Sequence, residues 1–435
     1  MIRFVLAFAA TLLLALPARA GIEIEEVTSP GGITAWLVEE RSIPFVALEL
    51  RFRGGGSLDA PGKRGATSLM TGLLEEGAGD MDAREFARAS ERLAASFRYD
   101  VNDDAVSVSA KFLTETRDDA IALLRESLVD PRFDDDAIER VRRQLLSLIR
   151  SDEKDPRAIA GRVFDAKIYG DHPYGTPLDG TAESVSALRR DDLVAAHRGA
   201  LARDRLYVSA VGDITGEELG ALLDRLLGDL PESGADLPGP AEPRLDGGIE
   251  VVDFDTPQSV VQFAQPGLDF DHPDYFATYI LNHILGGGGF ESRLMNEIRE
   301  KRGLTYGIYS YLVDKDQADL WMGSVASSNE RVAEAIEAVR EEWVRARDEG
   351  VTEEELEQAK TYLTGSYPLR FDGNGPIARI MVAMQMSDMP IDYIETRNDR
   401  VNAVTLDDVN RVAKERLDPE RLSFVVVGRP QGLSN

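Results

Sequence analysis

The sequence predicts an α+β protein made of two homologous domains, each a mostly antiparallel sheet with helices packed on one face. Three observations lead to this fold class. A long segment occurs twice, strand-like segments precede helix-like segments in each copy, and a Pro- and Gly-rich stretch separates the copies. A chain of 435 residues is also long enough for two ordinary domains.

The repeat is clearest in residues 186–213, which align without a gap to residues 402–429, 216 positions later. Identical residues include Asp191 with Asp407, and both copies read as helix, turn and strand. Two further pairs of helical segments agree: residues 65–77 with 276–288, and residues 133–143 with 351–361. Such a long offset indicates a duplicated domain rather than a short-period solenoid.

Strand-like alternation of apolar and polar residues opens each copy. It occurs at residues 45–53 and 105–112 in the first copy, and at residues 260–263 and 320–325 in the second. Because long helical segments follow each set of strands, a layer of helices on a sheet is expected in both domains.

The boundary between the domains is predicted at residues 230–248, which are rich in Pro, Gly and acidic residues and show no periodicity. This places the first domain at residues 21–229 and the second at residues 249–435.

Residues 1–20 have the features of a secretory signal peptide: Arg3, an apolar run at residues 4–16, and a small-x-small cleavage site at residues 18–20. We therefore expect a periplasmic protein in a bacterium. The chain has no cysteine, which excludes a lipoprotein anchor and disulfide bonds. No later apolar run predicts a membrane anchor.

The net charge of −28 argues against nucleic acid and anionic membranes as partners. Such acidity is typical of a highly soluble surface, and it also suits a basic peptide or partner surface.

One segment, residues 283–311, combines a glycine-rich loop, a helix, a tight turn at Gly303 and a strand. Together with residues 168–181 (IYGDHPYGTPLDGT), it resembles the M16 (insulinase or pitrilysin-like) zinc peptidases, and the resemblance covers essentially the whole mature chain. It implies two α+β halves joined by a linker, which form half of a clamshell.

The resemblance also implies roles for residues of this segment. Arg299 and Tyr306 have the spacing of the family's Arg-x6-Tyr pair, which binds the substrate carbonyl next to the scissile bond. A tyrosine hydroxyl can donate to a developing oxyanion, and arginine adds a fixed positive charge. The loop Gly286, Gly287, Gly288 and Gly289 is expected near the substrate, where it lets a peptide backbone or a neighbouring helix approach closely.

An ordinary structural reading of the same two residues stays open. Arg299 could belong to a solvated charged helix face, and Tyr306 could be a packing residue of the strand that is predicted to carry it.

Active members of the family carry His-x-x-Glu-His on the first helix and a glutamate further on. Two histidines at i and i+4 ligate zinc, and the glutamate between them serves as base. Here Ser68 and Gly72 stand at the histidine positions, Thr71 at the base position, and Leu148 at or next to the distal ligand. No metal site is therefore expected in this chain.

The four histidines do not replace the missing ligands, since no two of them lie three to five residues apart. We expect His172 to be a turn residue, His197 to lie on a solvated polar helix face, His272 to lie in an acidic loop, and His283 to be a packing residue at the position equivalent to Gly72.

These observations favour a non-catalytic, substrate-binding subunit of a heterodimeric periplasmic M16-type peptidase. It would hold no cofactor itself, and zinc would sit in a catalytic partner subunit that acts on a peptide or an unfolded protein. Two alternatives stay open: a structural or peptide-binding scaffold without any peptidase role, and an autonomous metalloendopeptidase with a displaced site.

Overall fold

The computed structural model of the chain describes residues 22–433. The signal peptide predicted at residues 1–20 lies outside this range. Within it, no helix combines the length and the apolar character that crossing a membrane requires.

The described residues form thirteen strands. In the first half these are β1 (Glu25–Thr28), β2 (Thr34–Glu39), β3 (Phe45–Arg53), β4 (Gly77–Ala78), β5 (Met81–Asp82), β6 (Ser96–Val101), β7 (Ala105–Leu113) and β8 (Leu206–Gly212). In the second half they are β9 (Ile249–Asp253), β10 (Gln258–Pro266), β11 (Ile308–Lys315), β12 (Ala318–Ser328) and β13 (Ser423–Gly428).

The described residues also form fourteen α-helices. The first half has α1 (Ala66–Thr71), α2 (Ala83–Arg92), α3 (Arg117–Val129), α4 (Asp135–Asp152), α5 (Pro156–Tyr169), α6 (Ala182–Ala187), α7 (Arg190–Ala200) and α8 (Gly216–Leu227). The second half has α9 (Tyr275–Asn282), α10 (Val332–Glu349), α11 (Glu353–Gly365), α12 (Asn374–Met386), α13 (Tyr393–Ala403) and α14 (Leu406–Arg416). Two π-helical segments, His283–Gly287 and Met295–Lys301, follow α9.

Short 3-10 helices lie at Gly56–Leu58, Thr114–Thr116, Pro173–Gly175, Arg203–Arg205, Gly289–Glu291 and Tyr367–Phe371. Between Leu227 and Ile249 the chain has neither a helix nor a strand.

The two halves have equivalent sheets. The first has the order β1-β2-β8-β3-β7-β6, and the second has the order β9-β13-β10-β12-β11. In each sheet the pairs are antiparallel except one, β2 with β8 and β9 with β13. Strands β6 and β11 are therefore equivalent outer strands, and the predicted fold of two homologous α+β domains is confirmed.

Each half packs most of its own helices against one face of its own sheet. In the first half, apolar residues of α1, α3, α4, α7 and α8 form one core with the sheet. In the second half, α9, α10, α11, α13 and α14 do the same. Acidic residues lie at the starts of helices: Asp134 is the N-cap residue of α4, and Glu355 completes a capping box with Thr352 in α11.

The opposite face of each sheet is covered by one helix of the other half. Helix α5 packs Ile159 and Phe164 against residues of the second sheet such as Met322. Helix α12 packs Met381 against the first sheet, around Trp36. This exchange was not predicted from the sequence, and it joins the halves through two apolar cores.

The halves also meet at the tips of two equivalent hairpins, β6–β7 and β11–β12. Lys315 forms an ion pair with Asp103 at 3.0 Å, and its ammonium lies 4.0 Å from the ring centroid of Tyr174. Asp316 forms an ion pair with Arg53 at 3.4 Å. Opposite charges from both halves therefore hold this contact together.

Several aspartates at this contact have raised pKa values. Asp314 and Asp319 lie directly opposite each other on β11 and β12. Burial, followed by the charge of Asp314, raises the pKa of Asp319 to about 7. Burial likewise raises the pKa of Asp316 to about 6, despite Arg53 nearby. These carboxyls hold protons at a pH where exposed aspartates are ionised.

Candidate functional site

Helix α1, which occupies the zinc-motif position, is short and anchored at its start. Asp59 accepts hydrogen bonds from the backbone N–H of Gly65 at 2.8 Å and of Thr67 at 2.9 Å. Burial raises the pKa of this carboxyl. The helix ends at Thr71, and tighter turns replace it at residues 72–75. The sequence predicts a longer helix over residues 65–77. This helix is not formed, because Leu73 and Leu74 turn into the core.

The residues at the zinc-motif positions contact the surrounding first half. The Ser68 hydroxyl donates to the carbonyl of Leu178 at 3.3 Å. Thr71 is buried, and its hydroxyl has no hydrogen-bond partner in the described part of the chain. A Cβ atom at Gly72 would lie 3.0 Å from the Cγ1 methyl of Val141 on helix α4, so a larger residue there would have to displace the Val141 side chain. These residues do not fit a zinc ion.

The distal position does not supply a ligand either. Leu148 lies on α4 with 48% of its side chain exposed. Across residues 22–433, no group of three His, Cys, Asp or Glu side chains is placed to hold a metal ion.

In the second half, the equivalent region has a different local structure. Helix α9 passes into a π-helical segment at His283–Gly287, and a second π-helical segment carries Arg299. Such wide turns often mark functional sites in helices. Gly303 follows with a φ of +58°. Tyr306 was predicted in the strand, but it lies in the turn before β11, which begins at Ile308.

The turn with Tyr306 is held by hydrogen bonds to strand β12. The Thr305 hydroxyl donates to the carbonyl of Ala326 at 2.7 Å and accepts from the backbone N–H of Gly307 at 3.1 Å. The Ser327 hydroxyl donates to the carbonyl of Leu304 at 2.5 Å. Tyr306 itself is 88% exposed. A fixed backbone therefore presents a tyrosine that contributes almost nothing to the core.

Arg299 lies beside the glycine loop. Its guanidinium carbon is 4.8 Å from the ring centroid of Phe290, a side chain that is 67% exposed, and it forms an ion pair with Glu300. In the described structure no hydrogen bond joins Arg299 to Tyr306. The structure thus places Arg299 beside the glycine loop and Tyr306 on the turn before β11. Phe290 was not predicted as part of the site, although an aromatic residue directly after a run of four glycines is a visible feature of the sequence.

The four glycines of the loop have different roles. A Cβ atom at Gly286 would lie 2.4 Å from the hydroxyl oxygen of Ser310 and 2.7 Å from its backbone nitrogen. Gly286 therefore lets the loop lie against strand β11, rather than against a helix. Gly287 approaches Asn282 and Gly288 approaches His283, whereas Gly289 has a φ of +59° and open space around its Cα.

The histidines serve structure rather than metal binding. His172 Nδ1 accepts from the backbone N–H of Tyr174, as expected of a turn residue. His197, predicted to be solvated, is instead buried, and its Nε2 donates to the carbonyl of Leu128 at 2.9 Å. The prediction was wrong because α7 turns this face onto α3. His272 accepts from the backbone N–H of Asp274, and His283 stacks on Tyr362.

Burial alone lowers the pKa of the His283 imidazole. This histidine, which stands at the position equivalent to Gly72, is therefore neutral at neutral pH.

Comparison with known proteins identifies the family. Residues 36–182 match the model of insulinase (peptidase family M16), and residues 187–363 match the model of the peptidase M16 inactive domain. The chain is 30% identical over 312 residues to an uncharacterized zinc protease of Mycobacterium bovis, which covers 68% of each chain. This chain belongs to the M16 peptidase family.

Other M16 relatives differ in what their names say of activity. A protein of Helicobacter pylori named non-peptidase homolog YmxG is 27% identical over 389 residues, covering 89% of this chain and 90% of the relative. A probable mitochondrial-processing peptidase subunit beta of Schizosaccharomyces pombe is 28% identical over 320 residues, covering 68% and 67%. The crystal structure of a peptidase M16 inactive domain from Pseudomonas fluorescens superposes with a TM-score of 0.88 at 29% identity, covering 95% of this chain and 99% of that one.

The zinc-motif positions of this M16 chain lie in the part that matches the insulinase model, not in the part that matches the inactive-domain model. The inactive-domain description therefore says nothing about Ser68 and Gly72. Zinc binding in the first half is disfavoured by the side chains at these positions and by the packing of Gly72 against α4.

Proposed function

We propose that this chain is the non-catalytic, substrate-binding subunit of a heterodimeric M16-type zinc peptidase, and that it works in the bacterial periplasm. A partner chain with an intact His-x-x-Glu-His motif would supply zinc and the catalytic base. A relative named as a peptidase subunit and another named as a non-peptidase homologue both support this assignment.

One contrast carries the proposal. The zinc position in the first half is closed by packing of Gly72 on α4, whereas the second half presents an exposed Tyr306 on a turn held by Thr305. The backbone of Tyr306 is held, while its hydroxyl has no hydrogen-bond partner among residues 22–433, and such a group suits a ligand brought by another molecule.

Substrate would bind as an extended strand. Strand β11 is the outer strand of its sheet, so the backbone groups on its free edge are available for pairing with a peptide. Tyr306, in the turn before β11, would then donate to the carbonyl next to the scissile bond. Arg299 would add positive charge where negative charge develops.

The test is reconstitution. The chain is co-expressed with an M16 chain of the same genome that carries His-x-x-Glu-His, and assembly is measured by light scattering with peptide hydrolysis alongside. We expect a heterodimer whose activity neither chain shows alone. Tyr306→Phe should lower kcat by about a hundredfold or more, because one donor to the oxyanion is removed.

The assembly of the Tyr306→Phe pair should be unchanged, because the hydroxyl has no hydrogen-bond partner in the part of its own chain that the structure describes. Unchanged turnover by this pair would remove Tyr306 from the mechanism. A chain that assembles with no M16 peptidase, yet binds peptides, would instead be a scaffold.

A further inference from the structure

The second sheet has an open groove on the face that helix α5 covers only in part. The groove has a volume of 600 Å³ and begins where α5 begins, beside the turn that carries Tyr306. It is lined by residues of α5, β10, β11, β12 and the turn before β11, among them Arg157, Gln262, Tyr306, Tyr309, Tyr311 and Ser324.

The residues on this face change character where α5 stops covering it. Under α5 the face is apolar, with Ala264 on β10 and Met322 on β12. In the open part, Gln262, Ser324 and Tyr309 are paired in register across three neighbouring strands. These side chains can hydrogen-bond, and in the described chain none of them does so. The open part of this face therefore has mixed polarity, and it offers hydrogen-bonding groups at positions where the covered part has apolar side chains.

The tyrosines of this face are arranged for contact with a ligand. Tyr309 and Tyr311 lie two residues apart on β11, so they point to the same side of the sheet, and 50% and 42% of their surfaces are exposed. Tyrosine contributes a large, rigid contact surface together with a hydroxyl donor, and few rotamers are lost when it binds.

The charge of the groove is opposite to that of the whole chain. The chain contains 77 Asp and Glu residues, yet none of those that the structure describes lines this groove. Its one charged residue is Arg157, whose guanidinium has no ion-pair or hydrogen-bond partner within residues 22–433. Asp155 lies nearby, but its carboxylate caps α5 by accepting from the backbone N–H of Arg157 at 2.8 Å.

We infer that this groove is a subsite for an acidic side chain of an extended peptide, with Arg157 and the hydroxyl of Tyr309 as the groups that bind the carboxylate. The inference rests on the proposed function, because Tyr306 borders the same groove. The planar guanidinium matches a carboxylate in geometry and charge. The residue that selects the substrate thus comes from the first half, on the exchanged helix.

The experiment uses the purified chain and three fluorescent decapeptides, each N-acetylated, C-amidated and identical except for a central Glu, Gln or Lys. Fluorescence anisotropy measures their Kd at low and high salt. We expect the Glu peptide to bind about fivefold more tightly than the Gln peptide at low salt, as for one partly exposed ion pair, and this preference to shrink with salt.

Arg157→Gln should abolish the preference for Glu. Arg162→Gln is the matched control: it removes the same charge from an exposed position of the same helix that does not line the groove, and it should leave the preference intact. Equal melting temperatures of both variants would exclude a folding defect.

Equal affinity for the Glu and Gln peptides, an unaltered preference in Arg157→Gln, or no binding of any peptide would overturn the inference. A Gln peptide with a free C-terminus that binds better than the amidated Glu peptide would reassign the groove to peptide ends and also overturn it. The proposed function is tested separately: it fails if the reconstituted pair does not assemble or does not cleave peptide.

Discussion

Two equivalent segments, residues 65–77 in the first half and residues 276–288 in the second, occupy the same place on their sheets but end differently. In the first, the helix stops at Thr71 and Leu73 turns into the core. In the second, the helix widens into a π-helical segment and a glycine loop that lies on strand β11. The duplicated fold therefore places the two segments equivalently on their sheets, while local packing decides which half can present polar groups to a ligand.

The largest loss of stability is expected from placing a side chain at Gly286, where the loop contacts Ser310 of β11. Gly286→Val should lower the free energy of unfolding by about 3 kcal/mol, because its Cβ atom would meet the backbone of Ser310. Urea unfolding measures it. Gly289→Ala is the control within the same loop: only its positive φ is unfavourable, which costs about 1 kcal/mol. Equal losses would show that Gly286 does not seat the loop on β11.

A second prediction concerns the contact between the halves. A carboxyl whose pKa is higher in the folded state than the unfolded value of about 3.9 binds protons on folding. The free energy of unfolding should therefore fall as pH rises from about 4 to about 8 and stay level above. Asp319, with a pKa of about 7, and Asp316, with a pKa of about 6, set this window.

Asp319→Asn tests that prediction directly. It should stabilise the chain by about 1 to 2 kcal/mol at pH 8, where the wild-type carboxylate is ionised beside Asp314, and change little at pH 5. Asp255→Asn, which removes only an exposed ion pair with Arg429, should show no such difference between the two pH values. If Asp319→Asn behaved like this control, the raised pKa would be refuted.

In the first half, Thr71→Val should raise the free energy of unfolding by about 1 kcal/mol, because it replaces a buried hydroxyl without a partner by a methyl group of the same size. Thr71→Ser keeps the hydroxyl and loses a buried methyl group, so it should destabilise by about 1 kcal/mol. A stability loss in Thr71→Val would show that the hydroxyl has a role that packing does not explain.

The smallest effect on stability is expected at Tyr306. Because this side chain is 88% exposed, Tyr306→Ala should change the free energy of unfolding by less than about 0.5 kcal/mol. Thermal unfolding of the variant provides the measurement. A loss of 2 kcal/mol would make Tyr306 a packing residue and weaken its proposed role in binding.

Much of the fold could be predicted from the sequence, because alternation at residues 45–53 and the duplicated helix-turn-strand reflect local periodicity. The exchange of α5 and α12 could not, since either helix would read the same if it packed on its own sheet. His197 was assigned to solvent for the same reason: its environment is set by α3, which is distant in sequence.

The site was predictable where spacing carries the information, as for Ser68, Thr71 and Gly72 in the empty zinc motif. It was not predictable where side chains meet through the fold. Arg157 lies far from Tyr306 in sequence, and only the packing of α5 on the second sheet brings the two to one groove.

Above all, we expect this chain to hold no catalytic zinc. The direct measurement is the zinc content of the purified chain by mass spectrometry, with hydrolysis of an unfolded protein followed in the same sample. We predict far less than one zinc ion per chain and no hydrolysis that a chelator abolishes. One zinc ion per chain together with chelator-sensitive cleavage would contradict the account.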